Sequence, residues 1–140
     1  MEAMENLLTR RSCRNYTEKQ VPDELLDKVL EAGTFAASGM NRQSTFLVAV
    51  RDKETRDLLS KINAGVMNSQ NDPFYGAPCV IVVLAAPDPT YLEDGSLVMG
   101  NLMNAAHAVG VDSCWIHRAR EEFDSEEGKA LLAKWDIAGD

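Results

Sequence analysis

Apolar residues recur along this chain with different periods, and the changes of period lay out its elements. Met1, Met4, Leu7 and Leu8 keep the spacing of one helical face and predict a short amphipathic helix at the N-terminus. A second helix opens at Pro22, a residue suited to a first turn, with Asp23 and Glu24 placed where carboxylates complement the helix dipole. Leu25, Leu26, Val29 and Leu30 form its apolar side, and it runs to about Gly33 or a little beyond. The stretch TFLVAV, Thr45–Val50, carries β-branched and aromatic residues between polar flanks and predicts a strand. A further helix has Leu58, Leu59 and Ile62 on its apolar side. It gives way to NAGVMNSQNDPFYGAP, Asn63–Pro78, whose Asn, Gly and Pro predict a long loop of the kind that forms lids or faces ligands.

CVIVVLAA, Cys79–Ala86, is apolar at consecutive positions instead of alternating ones, which predicts a strand covered on both faces and central in its sheet. From Tyr91 to Gly110 the apolar residues wrap most of the way round, so this helix is expected in the core or against a second subunit. Gly110 ends it, VDSCWI returns as a strand, and Asp124 with Glu127 three residues later makes a capping-box-like start for a last helix through Trp135. Helices and strands interleave over residues 1–140 without repeat or linker, which predicts a single mixed α/β sandwich domain. No strand leads into G-x-G-x-x-G or G-x-x-x-x-G-K-[ST], so the phosphate-binding turns of the dinucleotide and P-loop folds are missing.

Composition narrows the function classes. With 45% apolar and 26% charged residues the chain is ordinary for a globular domain, and its longest apolar run, Pro78–Pro87, is too short to span a bilayer. MEAMENLL places two glutamates before any apolar block, unlike a secretory signal, and the expectation is a cytoplasmic protein. Cys13, Cys79 and Cys114 are odd in number and widely spaced, so they read as buried reduced thiols instead of a disulfide framework or zinc site. The net charge of −8 and the pI of about 4.7 argue against a nucleic-acid surface, but not against a small anionic ligand held by a local cluster.

Three segments carry candidate chemistry. In RRSCRNY, the guanidiniums of Arg10, Arg11 and Arg14, with Ser12 and a helix end among them, can grip a phosphate through charge-assisted forks, or they can be surface residues paired with glutamates. In AASGMNRQ, the groups of Ser38, Gly39, Met40, Asn41 and Gln43 can hydrogen-bond the edge of a planar heterocycle, or form a plain polar loop. In CWIH, Trp115, Ile116 and His117 can wall a ring system, or simply fill the core. No H-E-x-x-H or other metal-ligand spacing exists, neither His107 nor His117 is fixed beside a nucleophile, and the acidic run REEFDSEE reads as a solvated helix start. No side chain stands out as catalytic, so a cofactor is expected to carry any reaction.

Taken in order, RRSCRNYTEKQVPDELLDKVLEAG, AASGMNRQSTFLVAV, DPFYGAP and DGSLVMGNLMNAAHAVGVDSCWI resemble the nitroreductase family of flavin-dependent oxidoreductases over almost the whole chain. The resemblance implies an α+β fold: a three-layer sandwich with a central mixed, largely antiparallel sheet, working as an intertwined homodimer with FMN at the subunit interface. It gives Arg10, Arg11, Ser12 and Arg14 the phosphate and pyrimidine side of FMN. It gives Ser38, Gly39, Met40, Asn41 and Gln43 the role of a loop reaching FMN bound mainly by the other subunit, and sets Trp115, Ile116 and His117 along the isoalloxazine. It implies NADH or NADPH as electron donor, then a small-molecule acceptor such as a nitro compound or quinone, in a ping-pong scheme.

Two departures from that pattern stand out. His117 occupies a position where family members commonly carry glycine or another small residue. After LLAKWDI the sequence stops at Asp140, without the usual further strand, phosphate-reaching basic residue and tail, so the expectation is a shortened domain, either a short family member or a clipped chain. The alternative reading is a non-catalytic or weakly active flavin-binding module.

Overall fold

The computed structural model describes residues 1–137, and the Ala138–Asp140 ending on which the expectation of a shortened domain rests lies outside them. Helices α1 (Ala3–Thr9), α2 (Asp23–Thr34), α3 (Lys53–Val66), α4 (Tyr91–Ala108), α5 (Ala119–Asp124) and α6 (Glu126–Lys134) enclose a sheet of β1 (Thr45–Val50) and β2 (Val80–Ala85). The two strands run antiparallel, Thr45 opposite Ala85 and Val50 opposite Val80.

Successive strand residues point to opposite faces, and each face meets its own helices. Leu47, Ile81 and Val83 pack on Val29 of α2 and on Val98, Leu102 and Ala106 of α4. Val48, Val50, Val80, Val82 and Leu84 pack on Leu59 of α3, Phe123 of α5, and Leu131 and Leu132 of α6. A strand clothed on both sides has no polar face to spare, which is why CVIVVLAA does not alternate. The result is the expected three-layer α+β sandwich.

Four local expectations are corrected. VDSCWI is not a strand: among the described residues its only ladder contact is a parallel bridge between Ser113 and Ser12. The described sheet has two strands, so β2 is flanked by β1 alone. The Asn63–Pro78 loop begins later than its composition suggests, because α3 continues to Val66 and buries Asn63 completely. The last helix starts from Ser125 and not Asp124. The Ser125 hydroxyl accepts from the Gly128 amide at 3.0 Å, while Asp124 closes the separate short α5, in which Glu122 and Phe123 are buried.

The α5–α6 corner leaves no room for a side chain at Gly128. A Cβ there would sit 2.0 Å from the Glu122 carbonyl oxygen and 2.6 Å from Phe123 Cα, both backbone atoms. Gly128→Ala therefore forces the two helices apart. We expect a loss of about 1–3 kcal/mol, the usual cost of overpacking, read as a lower urea midpoint; an unchanged midpoint would show that the corner is looser than described.

Candidate functional site

The C-terminal half of α4 carries the N-terminal segment. Asn6 Nδ2 donates to the Asn104 carbonyl at 2.9 Å, and the Thr9 hydroxyl lies 2.9 Å from His107 Nε2. This seats the end of α1 and launches Arg10–Arg14 along the Val111–His117 segment, where Cys13 N donates to the Ser113 carbonyl at 3.0 Å. Two of the three predicted segments, RRSCR and CWIH, are thus brought side by side.

The cluster is not paired with glutamates, the alternative that its sequence leaves open. Arg51 pairs with Asp23, Arg56 with Asp72 and Asp57, and Arg120 with Asp124, whereas among the described residues Arg10, Arg11 and Arg14 have no carboxylate within 4.0 Å. Arg11 turns back and donates to the Leu8 and Arg10 carbonyls at 3.0 and 2.8 Å, closing the end of α1. Arg14 stays exposed. Arg10 is half-buried, and its Nη1 is buried with no hydrogen-bond partner. An unpartnered buried guanidinium nitrogen costs more than an exposed one, and a phosphate oxygen removes that cost by accepting from it.

Trp115 and His117 stack with ring centroids 5.7 Å apart and planes at 28°. Both are exposed, Ile116 reaches into the core below β2, and so the segment presents two rings outward. Its backbone is held from beneath by Asn63, which the sequence reading left in a loop. Asn63 Nδ2 donates to the His117 carbonyl at 2.9 Å and to Glu122 Oε2 at 3.1 Å, and Arg118 Nε donates to Asn63 Oδ1 at 2.9 Å. Arg118 itself lies in the left-handed region at φ 80°. The signal for Asn63 was its place four residues after Leu59, on the apolar face of α3.

Glu122 was read as part of a solvated acidic run, yet it is buried, and Oε1 has no partner. Burial pushes its carboxyl up to about 7, against the opposing pull of the Asn63 amide and the Arg118 charge. A carboxyl whose folded pKa exceeds its unfolded value contributes stability that is full below about pH 4.5 and is lost as pH rises through about 7. The thermal midpoint is therefore expected to fall across that window, and Glu122→Gln, which keeps an acceptor for Asn63, should flatten the slope. An equal slope in the variant would remove Glu122 from the account.

The third segment lies elsewhere. The Gly39 amide donates to Asp94 Oδ1 at 2.9 Å, in the first turn of α4, thirteen positions from His107. At 1.5 Å per residue the two ends are about 20 Å apart. The 38–43 loop is tightly built: a Cβ on Gly39 would meet Thr90 Oγ1 at 2.3 Å, and the Gln43 amide donates to Ser38 Oγ at 3.1 Å. Met40, Asn41 and Gln43 all hold φ near +50°, at 54°, 54° and 52°. Left-handed backbone at non-glycine residues costs roughly 1–2 kcal/mol each and concentrates at functional sites. Met40 is 86% exposed at the tip. Within one copy of the chain the two groups of predicted site residues therefore lie at opposite ends of α4.

Apolar surface is left over near both. Met1, Met4, Leu7 and Leu8 on α1, and Leu92 and Leu97 on α4, are large exposed hydrophobics. No helix among the described residues is long and apolar enough to cross a membrane.

The fold is an α+β domain, and its arginine segment carries no carboxylate partner among the described residues. Residues 7–126 match the Nitroreductase family, and the chain belongs to that family. It is similar over 99% of its length to a nitroreductase of Bacteroides fragilis solved with bound FMN, at TM-score 0.89 and 28% identity, covering 81% of that chain. A nitroreductase of Desulfitobacterium hafniense, also with bound FMN, gives TM-score 0.85 and 26% identity over 94% of this chain and 79% of its own. A Methanothermobacter thermautotrophicus relative, provisionally named an NADH dehydrogenase/NAD(P)H nitroreductase, is 27% identical over 82% of this chain. The match spans only 60% of that relative's length.

Proposed function

We propose that the chain is one subunit of a homodimeric FMN-dependent NAD(P)H oxidoreductase, with FMN held between two copies. The observation that carries this reading is the buried, unpartnered Arg10 Nη1 within an arginine cluster that lacks counter-ions. Arg10 and Arg14, with the Ser12 hydroxyl, hold the phosphate, and Arg11 supports them by closing α1. Trp115, Ile116 and His117 border the ring system, with Asn63 fixing their backbone. Ser38, Gly39, Met40, Asn41 and Gln43 reach the ring edge from the second copy, since within one chain they lie at the far end of α4. The exposed apolar faces of α1 and α4 are where two copies would meet.

When bound, FMN supplies two-electron transfer from NADH or NADPH to a nitro compound, quinone or similar acceptor, the two substrates occupying one site in turn. The chain's own residues bind, orient and exclude water, and none is assigned a proton-transfer role.

Visible absorbance of the purified protein tests the proposal. Flavin bands that bleach on anaerobic addition of NADH or NADPH are expected. A colourless protein that ignores added FMN would refute it, and bands that neither nucleotide bleaches would leave a flavin-binding module without catalysis.

A further inference from the structure

The three cysteines read from the sequence as separate buried thiols, but all three are only half-buried, and two follow residues that are bridged to each other. Ser12 and Ser113 are paired in a parallel bridge, anchored by the Cys13 amide on the Ser113 carbonyl. Cys13 and Cys114 are the next residue along each segment. Where parallel register continues for one residue beyond such a bridge, the next pair shares the opposite face, which would set the two thiols side by side. Neighbouring strands run about 4.8 Å apart, inside the roughly 4.4–6.8 Å Cα separation that a disulfide spans. Both thiols also lie within electrostatic reach of one hydroxyl. Tyr16 donates to the Cys13 carbonyl at 2.7 Å, and its titration is pushed up first by burial and then by the charges of Cys13 and Cys114.

A disulfide would remove only one local, weak S–H donation from each sulfur. Cys13 Sγ donates to the Asn15 carbonyl at 3.3 Å and Cys114 Sγ to the Trp115 carbonyl at 3.7 Å, each within its own segment. Cys79 sits apart, just before β2.

We propose that Cys13 and Cys114 are a redox pair, closing a reversible disulfide that staples the arginine segment to the Trp115–His117 segment. The oxidant is a peroxide. One thiolate attacks a peroxide oxygen, breaking the O–O bond to give a sulfenic acid and releasing hydroxide. The second thiol then attacks that sulfur, forming the S–S bond and releasing water. Each sulfur is oxidised, the peroxide is reduced, and a dithiol reverses the step by exchange. In a reducing compartment the bridge is transient, forming under oxidative load and not as a permanent fold element. Closing it fixes the spacing between the cations and the two outward rings whether or not flavin is bound.

The test exposes the intact protein to stoichiometric hydrogen peroxide, blocks free thiols with N-ethylmaleimide, and digests on the N-terminal side of aspartates without reductant. That cleavage places Cys13 in fragment 1–22, Cys79 in 72–87 and Cys114 in 112–123. The expected product is fragment 1–22 joined to 112–123, lighter than the two reduced peptides by two hydrogens and separated by dithiothreitol, with 72–87 fully alkylated. Cys13→Ser should abolish the cross-link and leave 112–123 alkylated or over-oxidised. The proposal is overturned if 1–22 and 112–123 are recovered singly after peroxide, or if the cross-links join Cys79 or two copies of the same fragment.

Discussion

Replacing both Arg10 and Arg14 by alanine is expected to release FMN while leaving the fold in place. Each charge-assisted hydrogen bond to phosphate is worth about 1.5–3 kcal/mol, so losing two weakens binding on the order of 10²- to 10⁴-fold. The fold should not notice, because neither guanidinium pairs with a carboxylate among the described residues and Arg10 Nη1 bonds to nothing. Removing a buried, unpartnered guanidinium nitrogen relieves a cost, so the thermal midpoint of the flavin-free variant is expected to match or exceed that of the flavin-free parent. Titration with FMN, followed by quenching of flavin fluorescence, reads the affinity. Unchanged affinity in the double variant would end the phosphate assignment.

The second large effect belongs to Asp72. Its carboxylate accepts from Arg56 Nη2, from the Ser60 hydroxyl at 2.8 Å, and from the Phe74 and Gly76 amides at 3.0 and 2.8 Å. Arg56, 11% exposed, also lies over the Phe74 ring and donates to the Ala77 carbonyl at 2.7 Å. One carboxylate thus ties the Asp72–Ala77 turn to α3, and the turn seats Phe74 in the core. Asp72→Ala strands a buried guanidinium and two amides. Breaking a buried pair from one side costs about 3–5 kcal/mol, and the low end is expected because Asp57 remains 3.2 Å from Arg56 Nη1. Adding Arg56→Met to Asp72→Ala should recover part of the loss by removing the stranded charge. A urea midpoint in the single variant equal to the parent's would show that the network holds nothing. Burial pushes the Asp72 carboxyl up, but Arg56, Ser60 and the two amides outweigh it and hold it at about 2. Its contribution is therefore full above about pH 3.8 and lost only as pH falls through about 2.

What could be read from the sequence followed from local pattern. The helix from Pro22, the strand Thr45–Val50 and the doubly covered β2 were legible because their periodicity reports burial directly. VDSCWI was misjudged because its β-branched and apolar residues fit a strand, while strand formation also needs a partner, and Ser12 supplies only one bridge. Glu122 and Asn63 were missed for a related reason: a polar residue on a buried face is recognisable only when its partners are known, and these partners lie 54 to 59 residues away. The arginine cluster was conspicuous in an acidic chain, but only the structure separates it from the paired Arg51 and Arg56. The distance between RRSCR and SGMNRQ was not legible at all. It follows from their attachment to opposite ends of α4, and it is the reason the proposed site draws on a second copy.

The proposal that FMN needs two copies is the central claim, and sedimentation equilibrium of the FMN-loaded protein, read at the flavin absorbance, tests it most directly. The account predicts that flavin travels with a species of twice 15.4 kDa and is released as dilution drives the copies apart. Flavin carried with full affinity by the 15.4 kDa chain alone would contradict it.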